Sequence, residues 1–356
     1  MGKRRAFAGT LARARPAAGR ERMFTRPRLR QLRRGPRVGF DALGSDMRTF
    51  RRRLLRATSA LLAAVLVTAA APVRAADAPP PRSARVLVIS VDGLRPDVLL
   101  RADMPALRGL MARGAFTMWA RTIPAAITLP SHTSMLTGVT PERHGVDWNG
   151  DLPAGQPQCW PQAPTLFEVA HAAGLTTAMA CGKSKFVALA RPGALDRACI
   201  PPRGATYSDS AVTDTALRFL RELRPRVMFV HLPSGDLTGH GQGWGSEEQI
   251  AAAAGASRCV TRLLAGYAQL GLLDSTLVIV SADHGGAART HGANDPRSRT
   301  IPWICAGPGV RADLDLASIP GPDVNTEDTF ATACWVLGLT PADSIDGRPV
   351  RAAFER

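Results

Sequence analysis

The sequence predicts an α/β fold with a largely parallel central sheet that is flanked by helices on both faces. Two features of the chain support this fold class. Short β-branched runs, apolar along almost their whole length, alternate with segments of helical periodicity, and glycine-bounded turns separate them. A strand without polar alternation is buried on both faces, and strands that alternate with helices are typical of parallel sheets.

Five segments have the composition of buried strands, and five have the periodicity of helices. The strands are predicted at Arg85–Val91, Leu175–Ala180, Arg226–Leu232, Thr276–Ser281 and Thr300–Cys305. The helices are predicted at Met104–Arg113, Thr165–Ala173, Ser210–Leu223, Ser246–Leu270 and Thr326–Leu337. All of these elements follow residue 84, so the sequence predicts one large domain over residues 85–356.

The positive charge of the chain is confined to its first 75 residues. The formal charge of the 356 residues is +16. Residues 1–46 contain 13 Lys and Arg against 3 Asp and Glu, and residues 47–75 contain six Arg and no acidic residue. The remaining residues contain 26 basic and 26 acidic side chains. A neutral domain has no overall field that attracts polyanions, so we expect no specific nucleic-acid binding.

Residues 47–75 have the order of a secretory signal peptide. A basic segment that begins at Arg48 precedes the 15 uncharged residues Ala57–Ala71, and Val73 and Ala75 have the positions that a signal peptidase recognises. We predict cleavage after Ala75 and a periplasmic or secreted protein, exported by the Sec or the twin-arginine pathway. An uncleaved anchor is the alternative, but a membrane span requires roughly 18–20 apolar residues. We therefore expect no stable membrane span after processing.

The segments on either side of the signal peptide are interpreted by composition alone. Residues 1–46 are either a basic, Arg- and Pro-rich extension or the result of a mis-assigned start, in which case Met47 is the initiator. Residues 76–84 are predicted to be a linker, because they include the Pro-rich stretch Ala78–Arg82.

All six cysteines lie in the predicted domain, and export would place them in an oxidising compartment. No pair has the C-x-x-C spacing that is typical of thiolate metal sites, and six cysteines allow 15 pairings. Cys159 and Cys199 lie in irregular, Pro-rich stretches, and we expect them to form a bridge. Cys305 and Cys334 lie in a predicted strand and helix, and we expect buried thiols there.

Acidic residues and histidines follow three of the predicted strands at the point where each strand ends. These candidate ligands are Asp92, Asp236, His240, Asp283, His284 and His291. Because ligands of open α/β sheets bind beyond the carboxyl ends of the strands, we expect the six side chains to meet in one site. Their oxygen and nitrogen donors suit Zn²⁺ or a similar ion, and six ligands exceed one tetrahedral shell. The pattern therefore predicts two divalent metal ions, with zinc as the expected metal.

A candidate nucleophile lies in the segment ITLPSHTSMLTG at 127–138. This segment lies between Asp92, which follows the first strand, and Asp236, the next candidate ligand along the chain. The segment predicts a short helix, with Thr128 ahead of it and Gly138 as its stop. An exposed hydroxyl group at a helix N-terminus is well placed to attack a phosphorus atom whose oxygens face the backbone amides. The alternative is that Thr128 or Ser131 is only a helix cap.

An ordered set of motifs runs through the predicted domain. It comprises VDG at 91–93, TLPSH at 128–132, GVTPERHGV at 138–146 with Asn149, DLTGH at 236–240, DHGG at 283–286 and HG at 291–292. Together these motifs resemble the alkaline phosphatase superfamily, and the resemblance is closest to its type I phosphodiesterase/nucleotide pyrophosphatase branch. It extends from about residue 85 to the C-terminus, and it implies an alkaline phosphatase-like catalytic domain over residues 85–356.

The resemblance implies a role for each motif residue. One zinc ion would be held by Asp236, His240 and His291, and the other by Asp92, Thr128, Asp283 and His284. Thr128 would attack phosphorus and form a phosphothreonine, and Asn149 would donate a hydrogen bond to a phosphoryl oxygen. The implied activity is hydrolysis of phosphodiester or nucleotide pyrophosphate bonds in a small phosphate ester.

The chain departs from the pattern of this family in two places. His291 follows His284 closely, whereas many diesterases have a substrate-binding insertion between these histidines, so nucleotide specificity stays open. Lys183 and Lys185 resemble the paired cations with which some threonine-dependent phosphatases hold a terminal phosphate. If both lysines reach the phosphoryl oxygens, the activity is phosphomonoester hydrolysis. If they are solvated loop residues, the diester activity is favoured.

The other histidines are expected to be structural, and other classes of function are disfavoured. We expect His132 and His144 to shape their loop, and His171 and His231 to be ordinary helix and strand residues. A phosphoryl transferase of this superfamily usually has several membrane spans, and a sulfatase needs a Cys or Ser nucleophile in a modification signature. A non-catalytic binding protein would be expected to lack some of the ligands.

Overall fold

The structure is a computed structural model that describes residues 83–151, 159–292, 294–321, 323–341 and 343–354. The predicted extension over 1–46, the signal peptide over 47–75 and residues 76–82 of the linker lie outside the described residues. Within the described ranges, no helix has both the length and the apolar character needed to cross a membrane.

The described part of the chain forms one mixed sheet of eight strands. The strands are β1 Arg85–Val91, β2 Ala115–Arg121, β3 Thr177–Cys181, β4 Arg197–Cys199, β5 Val227–Leu232, β6 Thr276–Ser281, β7 Thr300–Ala306 and β8 Leu314–Asp315. Their order in the sheet is β4-β3-β5-β1-β6-β7-β2-β8. Every neighbouring pair is parallel except the two that involve β7. The prediction of a largely parallel sheet is therefore confirmed.

Helices cover both faces of this sheet. In the described ranges they are α1 Pro96–Arg101, α2 Pro105–Ala112, α3 Thr128–Thr137, α4 Pro141–His144, α5 Leu166–Ala172, α6 Asp209–Leu223, α7 Ser234–Gln242, α8 Glu247–Gln269, α9 Pro296–Arg299 and α10 Asp328–Leu337. Both α8 and α10 pack against the central strand β1. Side chains of a strand point alternately to the two faces, and all those of β1 after Arg85 are buried, so both faces are covered.

The predicted strands and helices are all present, with boundaries shifted by one or two residues. The strand predicted from Leu175 begins at Thr177, and three residues predicted to begin helices are N-caps instead, namely Met104, Thr165 and Ser246. Thr165 accepts a hydrogen bond from the backbone of Glu168 in a capping box, and Ser246 caps α8 in a similar way. The shifts at these helix starts follow from cap geometry, which apolar periodicity does not locate.

The prediction missed three strands and several short helices. Strand β2 has the sequence AFTMWAR, in which polar and apolar residues are mixed and Trp119 is exposed, so no apolar run marks it. Strands β4 and β8 have three and two residues, which is too short for a periodic pattern. Helix α7 has the sequence SGDLTGHGQ, whose glycines disfavour a helix.

All six cysteines are free thiols in the structure, so the expected bridge between Cys159 and Cys199 is wrong. A Pro-rich setting does not bring two Cβ atoms together, which is the requirement for a bridge. Cys305 and Cys334 are buried, as predicted, and burial raises the pKa of Cys334 to about 12.

Candidate active site

The candidate ligands lie at the carboxyl ends of three strands that are neighbours in the sheet, β5, β1 and β6. Asp92 directly follows β1, and Asp283 and His284 follow β6. Helix α7, which follows β5, carries Asp236 and His240 on successive turns. The structure therefore brings together side chains that are far apart in the sequence.

The six side chains form two adjoining groups. Asp236, His240 and His291 form one group, and Asp92, Asp283 and His284 form the other. In each group, one ligand atom per residue lies within 4.8 Å of the others. The rings of His284 and His291 stack with their centroids 3.7 Å apart, which joins the two groups.

All three histidines of these groups use their ring nitrogens in the same way. The Nδ1 atoms of His240, His284 and His291 lie 3.0, 2.9 and 2.9 Å from the carbonyl oxygens of Arg289, Gly285 and Ala126. A carbonyl oxygen only accepts, so each Nδ1 donates and each Nε2 presents its lone pair. Burial lowers the pKa of His284 to about 4 and also lowers that of His291, so both rings stay neutral.

Each of the three carboxylates has one oxygen that is held by the protein. Asp92 Oδ2 accepts from His231 Nε2 at 2.9 Å and lies 2.5 Å from Lys183 Nζ. Asp236 Oδ2 also accepts from Lys183 Nζ, at 2.5 Å. Asp283 Oδ1 accepts from the backbone N–H of Gly93 at 3.1 Å. These contacts fix the orientation of each carboxylate.

The second oxygen of each carboxylate is buried and has no hydrogen-bond partner. These oxygens are Asp92 Oδ1, Asp236 Oδ1 and Asp283 Oδ2. The Nε2 atom of His284 lies 3.5 Å from the first and 3.2 Å from the third, and those of His240 and His291 lie 3.4 and 3.5 Å from the second.

Lone pairs of oxygen and nitrogen that face each other without a proton repel, and a cation between them removes the repulsion. The donor set of each group, carboxylate oxygen and imidazole nitrogen, also suits a divalent ion such as Zn²⁺. The residues of both groups therefore fit the metal ions that the sequence predicts.

The pKa values of the buried carboxyl groups of Asp92 and Asp283 are shifted in opposite directions. Burial and the neighbouring charge of Asp92 raise the pKa of Asp283 well above its usual range. Burial also disfavours ionisation of Asp92, but the charge of Lys183 and the hydrogen bond from His231 outweigh it and hold the pKa of Asp92 well below its usual range. Without an added cation, the ionised form of Asp283 is therefore disfavoured, whereas that of Asp92 is favoured.

Gly93, in the VDG motif, allows this close arrangement. Its φ is +73°, and a Cβ atom at this position would lie 3.0 Å from Asp236 Cα. A side chain would be strained in this conformation and would also displace Asp236. The glycine therefore lets the chain after β1 pass beside one carboxylate while its N–H binds another.

Thr128 is the first residue of helix α3, and its Oγ1 lies 3.3 Å from His284 Nε2. The N-cap is Ile127, and no side chain caps the helix, so the capping role considered for Thr128 and Ser131 is wrong. The Ser131 hydroxyl accepts instead from Thr122 Oγ1 at 3.0 Å. Thr128 is also buried, at 1% exposure, whereas the sequence predicted an exposed hydroxyl group.

Asn149 lies beside this helix N-terminus. Its Oδ1 atom accepts from the backbone N–H of Leu129 at 2.9 Å and from Lys185 Nζ at 3.2 Å. Because Oδ1 accepts both bonds, the Nδ2 amide group is the donor that Asn149 offers to a ligand. Burial lowers the pKa of Lys185, and the nearby charge of Lys183 lowers it further.

The two lysines have different surroundings, and neither is a solvated loop residue. Lys183 is buried, and its ammonium group bridges Asp92 and Asp236, which belong to different groups. Although burial opposes its charge, these carboxylates raise the pKa of Lys183. Lys185 is partly buried and lies beside Asn149. The charge of Lys183 is therefore already compensated by two carboxylates, whereas no ion pair holds the ammonium group of Lys185 in the described part of the chain.

Trp244 supports one of the groups, and the sequence analysis did not identify it. Its Nε1 donates to the carbonyl oxygen of Gly93 at 3.0 Å, and its ring lies 5.2 and 5.7 Å from the rings of His240 and His291. A Cβ atom at Gly286 would lie 2.3 Å from this ring. The second glycine of the DHGG motif, Gly286, leaves room for the Trp244 ring. This glycine is the feature of the sequence that could have indicated a bulky side chain beside the motif.

The remaining motif histidines, His132 and His144, hydrogen-bond outside the two groups, although His132 Nδ1 also lies 3.4 Å from Asp283 Oδ2. His132 donates from Nδ1 to the carbonyl oxygen of Thr128 at 2.8 Å and accepts at Nε2 from Ser90 at 2.7 Å. His144 accepts at Nδ1 from the backbone N–H of Val146 at 3.0 Å. His231 is different, because it touches Asp92, and its treatment as an ordinary strand residue is wrong.

The chain is similar to curated proteins over part of their length. An uncharacterised pyrophosphatase/phosphodiesterase of Schizosaccharomyces pombe is 26% identical over 227 residues, which cover 57% of this chain and 44% of that protein. Ectonucleotide pyrophosphatase/phosphodiesterase family member 3 of Mus musculus is 25% identical over 222 residues, which cover 56% and 24%. The chain thus spans less than half the length of these relatives.

The fold is also similar to solved structures, and a family profile matches the sequence. Murine ectonucleotide pyrophosphatase/phosphodiesterase 5 aligns with a TM-score of 0.62 at 15% identity, over 76% of this chain and 100% of that one. Phosphonate monoester hydrolase of Agrobacterium radiobacter aligns with a TM-score of 0.58 at 16% identity, over 77% of each chain. The profile described as type I phosphodiesterase / nucleotide pyrophosphatase matches residues 86–295. The match covers more than half of the chain, which therefore belongs to the type I phosphodiesterase/nucleotide pyrophosphatase family, within the alkaline phosphatase superfamily.

Proposed function

We propose that the domain hydrolyses phosphodiester or nucleotide pyrophosphate bonds in small phosphate esters, with Thr128 as the nucleophile. The observation that carries this proposal is the position of the Thr128 hydroxyl, at a helix N-terminus and 3.3 Å from His284. His284 belongs to a group that also contains two buried carboxylate oxygens without a hydrogen-bond partner, and a cation bound beside them would stabilise these oxygens. A helix N-terminus favours anions, which suits an attacked phosphoryl group.

The proposed cofactors are two divalent ions, and we propose zinc. Asp236, His240 and His291 would hold one ion, and Asp92, Thr128, Asp283 and His284 would hold the other. Ions bound there would act as Lewis acids on phosphoryl oxygens and favour ionised oxygen nucleophiles near neutral pH.

The proposed reaction is two in-line displacements. The Thr128 hydroxyl group loses its proton to the solvent, and Oγ1 forms a bond to phosphorus while the bond between phosphorus and the ester oxygen breaks. The leaving group departs with that electron pair. Water then forms a bond to phosphorus while the bond to Oγ1 breaks, and a proton of that water passes to Oγ1, which restores the hydroxyl group. Asn149 Nδ2 donates a hydrogen bond to a non-bridging oxygen, and this bond strengthens as negative charge develops there.

The test of this function is a substrate panel with purified, zinc-loaded protein. We expect hydrolysis of bis(4-nitrophenyl) phosphate and of nucleotide pyrophosphates, with kcat/KM above that for 4-nitrophenyl phosphate. The names of the curated relatives, pyrophosphatase/phosphodiesterase, support this order. A protein that hydrolyses none of the three esters when loaded with metal would contradict the proposal.

Phosphomonoester hydrolysis is a second candidate function, and the position of Lys185 favours it. Its ammonium group lies 3.2 Å from Asn149 Oδ1, so it adjoins the residue proposed to bind the phosphoryl group. A monoester dianion has one more negative charge than a diester. A nearby ammonium group stabilises that charge through a charge-assisted hydrogen bond. Lys183 supports this candidate less, because two carboxylates already hold it.

Replacement of Lys185 by alanine measures this contribution. We expect Lys185→Ala to lower kcat/KM for the monoester about tenfold more than for the diester, because it removes a charge-assisted hydrogen bond. Lys185→Arg keeps the charge and should preserve the ratio of the two kcat/KM values. Equal losses for both substrates in Lys185→Ala would show that Lys185 does not sense the extra charge.

Export and processing give a separate prediction. We propose that the protein is periplasmic or secreted, and that its exported form begins at or next to Ala76. Intact-mass measurement of exported protein should show this N-terminus. The variant Ala75→Trp should accumulate uncleaved, because signal peptidase requires a small residue there. Exported protein that still contains residues 47–75 would contradict the prediction.

A further inference from the structure

His231 is a buried histidine of strand β5 that lies outside the two ligand groups. Its ring packs against the rings of Phe186 and His132, with centroids 4.4 and 5.1 Å away. It is fully buried, so each of its polar atoms needs a partner inside the protein.

Both ring nitrogens of His231 have such a partner. The backbone N–H of Gly182 donates to Nδ1 at 3.2 Å, so Nδ1 is the acceptor and the proton lies on Nε2. Nε2 donates to Asp92 Oδ2 at 2.9 Å. The tautomer is therefore set by the backbone just after the neighbouring strand β3, and Nε2 donates to a candidate ligand of one group.

The bond to His231 decides which oxygen of Asp92 is free. With Oδ2 held by His231 and Lys183, the unpartnered oxygen is Oδ1, which faces His284 Nε2 at 3.5 Å. Without His231, only the flexible ammonium group of Lys183 would hold the orientation of this carboxylate. Ordering a ligand side chain when the metal binds costs free energy. A carboxylate that is not held in advance therefore lowers the affinity of the site for the metal.

The bond to Gly182 links the same ring to the segment that carries the two lysines. This segment, here called the lysine loop, consists of Lys183 and a 3-10 helix over Ser184–Leu189. Cys181, the last residue of β3, pairs with His231 in the sheet. A Cβ atom at Gly182 would lie 2.3 Å from the ring of Pro233, so the chain passes very close to β5 before it reaches Lys183. One imidazole thus spans Asp92 and the start of the lysine loop.

We infer that His231 is a positioning residue that holds Asp92 in its metal-binding orientation and anchors the loop of Lys183 and Lys185 to the same point. The inference rests on the proposed metal-dependent function. Residues that hydrogen-bond a metal ligand typically change metal affinity or activity by roughly 10- to 100-fold when replaced.

Two variants separate the hydrogen bond from the packing of the ring. His231→Phe fills the aromatic space but has no donor, whereas His231→Gln places an amide N–H near the position of Nε2. The readouts are zinc affinity, from competition with a chromophoric chelator, and kcat for bis(4-nitrophenyl) phosphate at saturating zinc. We expect zinc affinity to fall roughly 10- to 100-fold in His231→Phe and much less in His231→Gln. Excess zinc should restore most of kcat in His231→Phe.

The control for a merely structural effect is Val230→Ala, which removes a buried side chain from the same strand. It should lower Tm and leave zinc affinity unchanged. If His231→Phe does not fold, His231→Met gives the same donor-free comparison. Parental zinc affinity in the donor-free variant, or equal losses in His231→Gln, would overturn the inference alone. A parent protein that neither binds zinc nor hydrolyses an ester would overturn the proposed function and this inference with it.

Discussion

Replacement of Thr128 by alanine is expected to lower kcat/KM for a phosphodiester by about 10³-fold or more. The substitution removes the oxygen that is proposed to bond to phosphorus, and loss of a covalent nucleophile has effects of this size or greater. Zinc content should fall much less, because two carboxylates and an imidazole of the same group remain. The measurements are steady-state kinetics and metal analysis of the purified variant.

Thr128→Ser is the matched control for this prediction. Serine keeps the attacking oxygen, so the variant should retain much more activity than Thr128→Ala. In the parent protein, rapid acid quenching during turnover should trap a phosphoryl group on Thr128, which peptide mass spectrometry detects. Undiminished turnover in Thr128→Ala would contradict the assignment of the nucleophile.

Substitution of Asp283 by asparagine is expected to stabilise the metal-free protein while weakening zinc binding and activity, each by about 100-fold or more. Burial and the charge of Asp92 raise the pKa of Asp283, so its ionised form is unfavourable without a cation. Asparagine keeps an acceptor for the Gly93 N–H, and its amide group can donate to His284 Nε2, which lies 3.2 Å from Asp283 Oδ2.

The stability gain has a defined dependence on pH. A carboxyl group whose pKa is higher in the folded state makes that state less stable as pH rises above the unfolded value of about 3.9. The difference in Tm between metal-free Asp283→Asn and metal-free parent should therefore grow from acidic to neutral pH. Thermal unfolding with chelator at several pH values measures it.

Asp209→Asn is the control for a buried carboxylate outside the two groups. Asp209 Oδ1 accepts from the backbone N–H of Ser234 at 3.0 Å, and asparagine can keep that bond. This variant should bind zinc as the parent does. A metal-free Asp283→Asn protein that is less stable than the parent at neutral pH would contradict the electrostatic account of the site.

The sequence was sufficient to predict which six side chains lie together, because their positions depend on where strands end. Asp92, Asp236 and Asp283 follow strands that are apolar and therefore easily recognised, and a parallel sheet brings its carboxyl ends together. The central strands were predictable for the same reason. Strand β2 was not, because its sequence has no apolar run.

The supporting residues of the site could not be predicted from the sequence. The role of His231 depends on the strand pairing that places it beside Asp92 and on the backbone donor that sets its tautomer. Lys183 was predicted at the site, but its bridge between Asp92 and Asp236 requires the approach of two separate strand ends. Such contacts are tertiary, and no periodic pattern in the sequence encodes them.

Zinc titration of metal-free protein, with activity and bound metal measured on the same samples, tests the central claim most directly. The two groups of ligands predict that hydrolysis of bis(4-nitrophenyl) phosphate rises with bound zinc and reaches its maximum at about two equivalents per chain. The metal-free protein should be inactive, and a chelator should abolish the activity. Full activity in metal-free protein would contradict the account. So would a protein that binds no zinc under zinc-replete conditions.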